Sequence, residues 1–94
     1  MKIVNYAKYI EDHARVAELR PAHRHYMDEL LAAGRLIAGG PFSDGSGALF
    51  IYEVKTPAEA ADIVAADPYA IGGALAHYEL NPWEVVKSNP SLLS

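Results

Sequence analysis

The sequence has 94 residues, 51% of them hydrophobic and 21% charged, and its formal net charge is −4. This balance predicts one globular domain over residues 1–94 and excludes disorder, while the negative charge and scattered basic residues argue against nucleic acid and membrane partners. Cysteine is absent, which excludes disulfides, thiolate metal sites and cysteine nucleophiles and favours a cytoplasmic location.

The N-terminal segment is predicted to be a β-strand over residues 2–9, because aromatic and β-branched residues are mixed with polar ones there. Apolar side chains fall on both faces of this strand, with Ile3 and Ala7 on one and Val4 and Tyr6 on the other. Such a strand is expected to be covered on both sides.

The first long helix is predicted to begin at Pro21, since the first turn of a helix tolerates the missing N–H of proline. The polar residues 11–15 before it indicate a separate short helix. From Pro21 onward the helical period defines one apolar face, formed by His23, Tyr26, Met27, Leu30 and Leu31. Gly34 is a typical helix end.

Two strands are predicted between the helices. The first covers residues 35–38, and Gly39-Gly40-Pro41 are expected to end its ladder. The second covers residues 48–54, a nearly continuous apolar run that is typical of a central strand. A short loop of turn residues, 43–47, joins them.

The second helix has a clear start signal, because Thr56 can cap it, Pro57 suits the first helical position and Glu59 can close a capping box. It is predicted to stop near Asp67-Pro68. A short helical turn follows, which Gly72-Gly73 ends.

The last strand is predicted over residues 75–82, with residues 86–94 as a C-terminal tail. The order strand, helix, strand, strand, helix, strand is typical of the ferredoxin-like α+β fold, in which both helices cover one face of a four-stranded antiparallel sheet. The other face would expose an apolar patch, so a homodimer is predicted, with a monomer as the alternative.

His23 is the candidate for proton transfer. A helical histidine that faces a core is more often structural, but a position near the helix start, where a pocket can open, favours chemistry. Asp67 could orient the imidazole as an acid–base partner. Asp67 also has a simpler interpretation as an N-cap before Pro68. Spacing alone leaves open whether His23 and Asp67 meet.

Four further residues are candidates for binding a substrate or lining its pocket. Arg20 can hold a substrate carboxylate through its planar guanidinium, or lie in solvent. Gly40 can let the backbone approach a ligand, or only form a turn. Tyr69, like Trp83, can line a pocket or belong to the core.

No metal and no cofactor are predicted. His23 and His25 are two residues apart on a helix and point to different faces. A facial site of His23, His77 and Asp67 is geometrically conceivable, but it is disfavoured. The glycines of the 43–47 loop lack the following helix that a nucleotide site needs.

Four short motifs span nearly the whole chain: Arg20-Pro21-Ala22-His23, Gly34-Arg35-Leu36 leading into Gly40-Pro41, Asp67-Pro68-Tyr69, and Asn81-Pro82-Trp83. In this order they resemble the landmarks of the YciI-like (YCII-related) family of dimeric α+β barrel proteins. The resemblance implies a ferredoxin-like fold, a dimer whose two sheets pack into a barrel, and an active-site pair at His23 and Asp67.

The resemblance also implies a kind of chemistry. Some relatives are dehydrochlorinases of chlorinated aromatic compounds, and similar barrels include lactone isomerases and small monooxygenases. The expected function is therefore acid–base catalysis on a small cyclic or carbonyl compound, as a lyase, isomerase or dehydrochlorinase. The alternative is a ligand-binding or accessory module in which the pair only locks the helix to the sheet. A catalytic imidazole needs one ring nitrogen at an open cavity.

Overall fold

The computed structural model describes residues 1–93, and its sheet is built around the N-terminal strand. The elements in chain order are β1 (Lys2–Tyr9), α1 (His13–Ala32), β2 (Leu36–Pro41), β3 (Gly47–Glu53), α2 (Pro57–Ala65), α3 (Pro68–Ile71), β4 (Leu75–Trp83) and a 3₁₀ turn (Pro90–Leu92). The four strands form an antiparallel sheet in the order β2-β3-β1-β4. The predicted ferredoxin-like α+β fold is confirmed.

The core lies between the helices and one face of the sheet. Alternate residues of β1 point towards the helices, and its register places Ile3 opposite Tyr52 and Ala7 opposite Ala48, all of them buried. From the helix side Ile63 completes this layer. Truncating such a side chain to alanine typically costs about 2–5 kcal/mol, because a cavity remains.

Helix α1 begins earlier than the sequence predicts. Asp12 caps it by accepting the N–H of Arg15 at 3.1 Å, so the helix starts at residue 13 and Pro21 lies in its interior. The predicted start at Pro21, with a separate short helix before it, is wrong. Pro21 has no N–H to donate to the carbonyl of Ala17, four residues earlier. Both residues are exposed, so water can bind that carbonyl. His23 consequently lies in the middle of the helix and not near its start.

Strand β2 runs through the residues that were expected to end it. Gly39 pairs with Phe50, Gly40 with Leu49, and Pro41 closes the strand. The predicted stop at Gly39 is wrong because β2 is an edge strand of this sheet, where the missing N–H of a proline costs no ladder bond.

The glycine and threonine signals at the helix ends act as predicted, whereas the Glu59 side chain accepts the N–H of Lys55 and not that of Thr56. Gly34 has a φ of 71° after α1, a conformation that glycine adopts without strain. Thr56 Oγ1 accepts the N–H of Glu59 at 3.3 Å at the start of α2. Leu31, expected on the buried face of α1, is instead exposed at its edge.

The sheet face opposite the helices is not covered by them and carries exposed apolar side chains, although Phe42 packs against Tyr6 with ring centroids 5.4 Å apart. Tyr6, Leu49 and Trp83 are exposed there, and Tyr6 is 48% exposed although it lies on a central strand. None of the helices in the described part of the chain has the length and apolar character needed to cross a membrane.

Candidate active site

His23 and Asp67, 44 residues apart in the chain, are in direct contact. His23 Nδ1 lies 2.8 Å from Asp67 Oδ1 and 3.0 Å from Oδ2. Both side chains are buried, with His23 6% and Asp67 3% exposed. Because an ionised carboxylate only accepts hydrogen bonds, Nδ1 carries the proton and donates it. In the neutral ring, Nε2 is then left as an acceptor.

Asp67 is also the N-cap of α3. Its Oδ1 accepts the main-chain N–H of Tyr69 at 2.9 Å, and Pro68 occupies the first helical position. The two interpretations that the sequence left open are therefore compatible, since one carboxylate caps the helix and holds the imidazole. The cap fixes the carboxylate relative to the backbone.

Two aromatic rings fix the imidazole plane. Tyr69 stacks on His23 with ring centroids 3.9 Å apart and an interplanar angle of 11°. Phe50 of β3 presents an edge-to-face contact at 5.6 Å. Tyr69 is only 1% exposed, so its ring is packed against the imidazole. It also lines the cleft, and its substrate-binding role stays a prediction.

A cleft of about 840 Å³ opens beside this pair, between α1 and the β2–β3 edge of the sheet. His23, Arg20, Gly40 and Tyr69 all line it, while Asp67 lies behind the imidazole. Among residues 1–93 the side-chain hydrogen bonds of His23 involve only Nδ1. Nε2 is therefore the ring nitrogen that remains for a molecule in the cleft.

Trp83 and His77, which the sequence also suggested for a site, lie outside this cleft. Trp83 lies near the end of β4 on the uncovered sheet face. His77 pairs with Lys8 on that same face, and its Nε2 lies 3.4 Å from Glu79. The conceivable metal site of His23, His77 and Asp67 is thus not assembled. No cluster of three metal-ligating side chains occurs in the part of the chain described.

Sequence reasoning missed several cleft residues. Phe42, from the loop after β2, and Arg24, on α1, both line the cleft. Phe50 belongs to an apolar run in which nothing distinguishes it from core residues. Tyr9 also lines the cleft. Its pKa is raised to about 12, mainly by burial and to a smaller extent by the neighbouring Tyr69. The only available signal was that Arg24 lies four residues after Arg20, on the same side of the helix.

Comparison with known proteins defines the family to which the chain belongs. The family model of the YCII-related domain matches residues 1–84. The chain therefore belongs to the YCII-related family, and the resemblance drawn from the sequence is confirmed. A relative, the "Uncharacterized protein YjpA" of Bacillus subtilis (strain 168), is 35% identical over 65 residues, which cover 69% of this chain and 75% of that protein.

Two known structures share the fold. One is 5-chloro-2-hydroxyhydroquinone dehydrochlorinase (TftG) from Burkholderia phenoliruptrix AC1100 in complex with 2,5-dihydroxybenzoquinone, with a TM-score of 0.79 and 24% identity over 89% of this chain and 94% of that one. The other is the Arabidopsis thaliana protein At3g17210, with a TM-score of 0.50 and 14% identity over 94% and 97% of the two chains. At these identities the likeness concerns the fold.

Proposed function

We propose that this protein is a small-molecule enzyme in which His23 transfers a proton and Asp67 orients it. The observation that carries the proposal is the contact of both Asp67 oxygens with Nδ1 of an imidazole that lines an open cleft. This arrangement meets the geometric requirement for a general base, because one ring nitrogen is held and the other is free to react.

The chemistry follows from the held tautomer. Nε2 of His23 takes a proton from a substrate carbon or hydroxyl, and the imidazolium that forms is stabilised by the Asp67 carboxylate. In an isomerisation the proton returns to a neighbouring atom of the same substrate. In an elimination, such as dehydrochlorination, loss of that proton and of chloride from adjacent carbons leaves a double bond.

The substrate class proposed is a small cyclic or carbonyl compound. The structural relative TftG is by name a dehydrochlorinase of a chlorinated hydroxyhydroquinone, and its structure holds a benzoquinone. In the cleft, Arg20 and Gly40 contact the substrate, whereas Tyr69 acts through the imidazole on which it stacks. The reaction requires no organic cofactor.

The assembly proposed is a homodimer in which the uncovered sheet faces of two copies meet. Exposed aromatic and aliphatic side chains on a central strand are costly in water, and a second copy of the same face would bury them. The proposed location is the cytoplasm.

Proton transfer to solvent tests the catalytic role. Small cyclic enols, lactones and chlorinated hydroxyhydroquinones are incubated in heavy water, and deuterium incorporation and chloride release are followed by NMR and ion chromatography. His23→Gln should lower the rate about 100-fold or more, the usual contribution of a positioned acid–base group. His25→Gln is the matched control, since His25 lies two residues away, is exposed and pairs with Glu29.

The contrary result is also informative. If His23→Gln folds normally and turns over the same compounds at the wild-type rate, the His–Asp pair is structural. The cleft would then belong to a ligand-binding module, the alternative function predicted from the sequence.

A further inference from the structure

The four arginines of the chain fall into two pairs with different surroundings. Arg15 Nη1 lies 3.1 Å from Glu18, and Arg35 Nε lies 3.4 Å from Glu59. Arg20 and Arg24 both line the cleft, and neither has a carboxylate within 4.0 Å among residues 1–93. The chain as a whole is acidic, with 12 acidic and 8 basic residues. Two arginines without an ion-pair partner therefore give this part of the cleft a positive charge.

The helix sets the spacing of these two residues. Residues four apart on an α-helix lie one turn apart, roughly 6 Å along the axis, and on the same side. His23 lies between them along the helix axis, also lines the cleft and is the residue in contact with Asp67. Arg20 is partly buried and Arg24 is exposed, so one cation lies deeper than the other.

Asp28 also lines the cleft, one turn beyond Arg24, but forms no ion pair with it. Arg20 and Tyr9 both line the cleft, and the Arg20 charge partly lowers the pKa that burial raises for the Tyr9 phenol. The positive end of the cleft is therefore the end where His23 lies, and the acidic side chain lies further along the helix.

The remaining wall of the cleft is apolar. Met27 faces it from α1, Leu36 from β2 and Phe50 from β3. An apolar wall beside two cations suits a ligand with an apolar ring and a charged planar group. A guanidinium binds a carboxylate through two parallel hydrogen bonds, and water exclusion by the ring strengthens that bond.

We propose that the substrate of this cleft is a small ring compound that carries a carboxylate, which Arg20 and Arg24 bind while the ring lies against Phe50 beside His23. The proposal rests on the proposed acid–base function and names the substrate class of the same site. Bound in this way, the ring atoms next to the carboxylate lie closest to Nε2. The two arginines also stabilise the negative charge that develops when His23 removes a proton from such an atom.

Binding, measured without turnover, tests the proposal. Benzoate and benzamide have the same shape and differ in charge, and both are titrated into the whole protein while the imidazole and aromatic resonances are followed by NMR. We expect benzoate to bind at least about tenfold more tightly than benzamide, since hydrogen bonds to a charged group are stronger than those between neutral groups. Arg20→Gln and Arg24→Gln should each lower the benzoate affinity about tenfold.

Lys55→Gln is the charge-matched control, because Lys55 is exposed before α2 and does not line the cleft. It should leave the benzoate affinity unchanged. Equal affinities for benzoate and benzamide, or no benzoate binding, would overturn the proposal, as would an equal loss in Lys55→Gln. Arg24 is exposed, so Arg24→Gln gives a decisive result even if Arg20→Gln fails to fold.

Two separate readouts distinguish this proposal from the proposed function. Benzoate binding is measured on the wild-type protein and its arginine variants, whereas turnover is compared between the wild type and His23→Gln. If benzoate binds through the arginines and His23→Gln shows no loss of turnover, the anion site stands and the acid–base role of His23 fails. If the wild type does not bind benzoate but His23→Gln abolishes turnover, the carboxylate proposal fails alone.

Discussion

Tyr69 supports both members of the candidate pair at once. Its ring stacks on His23 with centroids 3.9 Å apart, and its main-chain N–H donates to Asp67 at 2.9 Å. The two contacts come from one residue in the first turn of α3, so the position of the short helix sets the geometry of the imidazole and the carboxylate together.

Substitutions at Tyr69 separate the ring contact from the main-chain contact. Tyr69→Phe keeps both, whereas Tyr69→Leu keeps the N–H bond and removes the stack. We expect Tyr69→Leu to lower the free energy of unfolding by about 1–3 kcal/mol, from lost aromatic packing and burial, and to lower turnover about tenfold. Urea unfolding and deuterium exchange into substrate measure the two effects. Equal behaviour of the Phe and Leu variants would contradict a positioning role for the ring.

Asp67 can be changed so that its cap survives and its charge does not. Asn caps helices about as well as Asp, so Asp67→Asn should keep α3 while releasing the fixed tautomer of His23. Nitrogen chemical shifts of the imidazole should change from Nδ1-protonated to a mixture of tautomers, and turnover should fall about 100-fold or more.

Asp67→Ala is the matching variant, because it removes the cap as well as the charge. It should cost about 1 kcal/mol of stability beyond Asp67→Asn. Unchanged imidazole shifts in Asp67→Asn would show that the carboxylate does not fix the tautomer.

The features that the sequence predicted well depend on residues close together in the chain. Thr56 and Pro57 determine the start of α2 within three residues of chain, and the apolar run of β3 needs no partner to be recognised. The start of α1 was missed because proline in a first turn is only a preference. Pro21 is tolerated in a helix interior because it is exposed there.

The candidate site depends on contacts that no local pattern encodes. His23 and Asp67 are separated by α1, two strands and α2, so only the family resemblance indicated that they meet. Phe50 illustrates the same limit. In the sequence it is one of several apolar residues of β3, and only the folded structure shows that His23 of α1 packs against its ring.

Gly39 and Gly40 differ in the space that a side chain would have. A Cβ at Gly39 would lie 2.6 Å from Phe50 Cδ1, whereas one at Gly40 would meet nothing within 4 Å. Gly39→Ala must displace the Phe50 ring that packs on His23, and should cost about 1–3 kcal/mol of stability. Gly40→Ala, its control, should cost less than about 0.5 kcal/mol, as surface substitutions usually do.

Activity measurements on the same two variants distinguish the two faces of β2. Gly39→Ala should raise KM, because its methyl group displaces the Phe50 ring that lines the cleft. Gly40 pairs with Leu49, so its methyl group would lie on the uncovered sheet face, and Gly40→Ala should leave KM unchanged. A raised KM in Gly40→Ala would mean that the substrate reaches that face.

The uncovered sheet face gives a prediction about assembly. Tyr6→Glu places a charge in the middle of this face, and we expect it to convert a homodimer to a monomer in sedimentation velocity. Ile71→Glu is the control, because Ile71 is 75% exposed on α3, outside the sheet. A stable interface buries about 800 Å² on each partner. A wild-type monomer at high concentration would contradict the homodimer.

The buried phenols predict how stability depends on alkaline pH. Burial is the largest cause that raises the pKa of Tyr9 from 10.0 to about 12, and burial also raises the pKa of Tyr52. The unfolded chain loses these protons near pH 10, while the folded protein keeps them to higher pH. Stability from these groups is therefore fully present below about pH 10 and is lost as the pH rises towards 12, because the unfolded state then binds fewer protons.

Tyr9→Phe isolates one of the two phenols. Urea unfolding between about pH 8 and pH 11 should show a free energy that is constant at first and then falls, with a shallower fall in Tyr9→Phe because that variant has one fewer group to ionise on unfolding. Phe preserves the aromatic contact with Tyr69, whose centroid lies 5.4 Å from that of Tyr9, so packing is nearly unchanged. An identical slope in both proteins would mean that the Tyr9 phenol ionises as easily in the fold as in the unfolded chain.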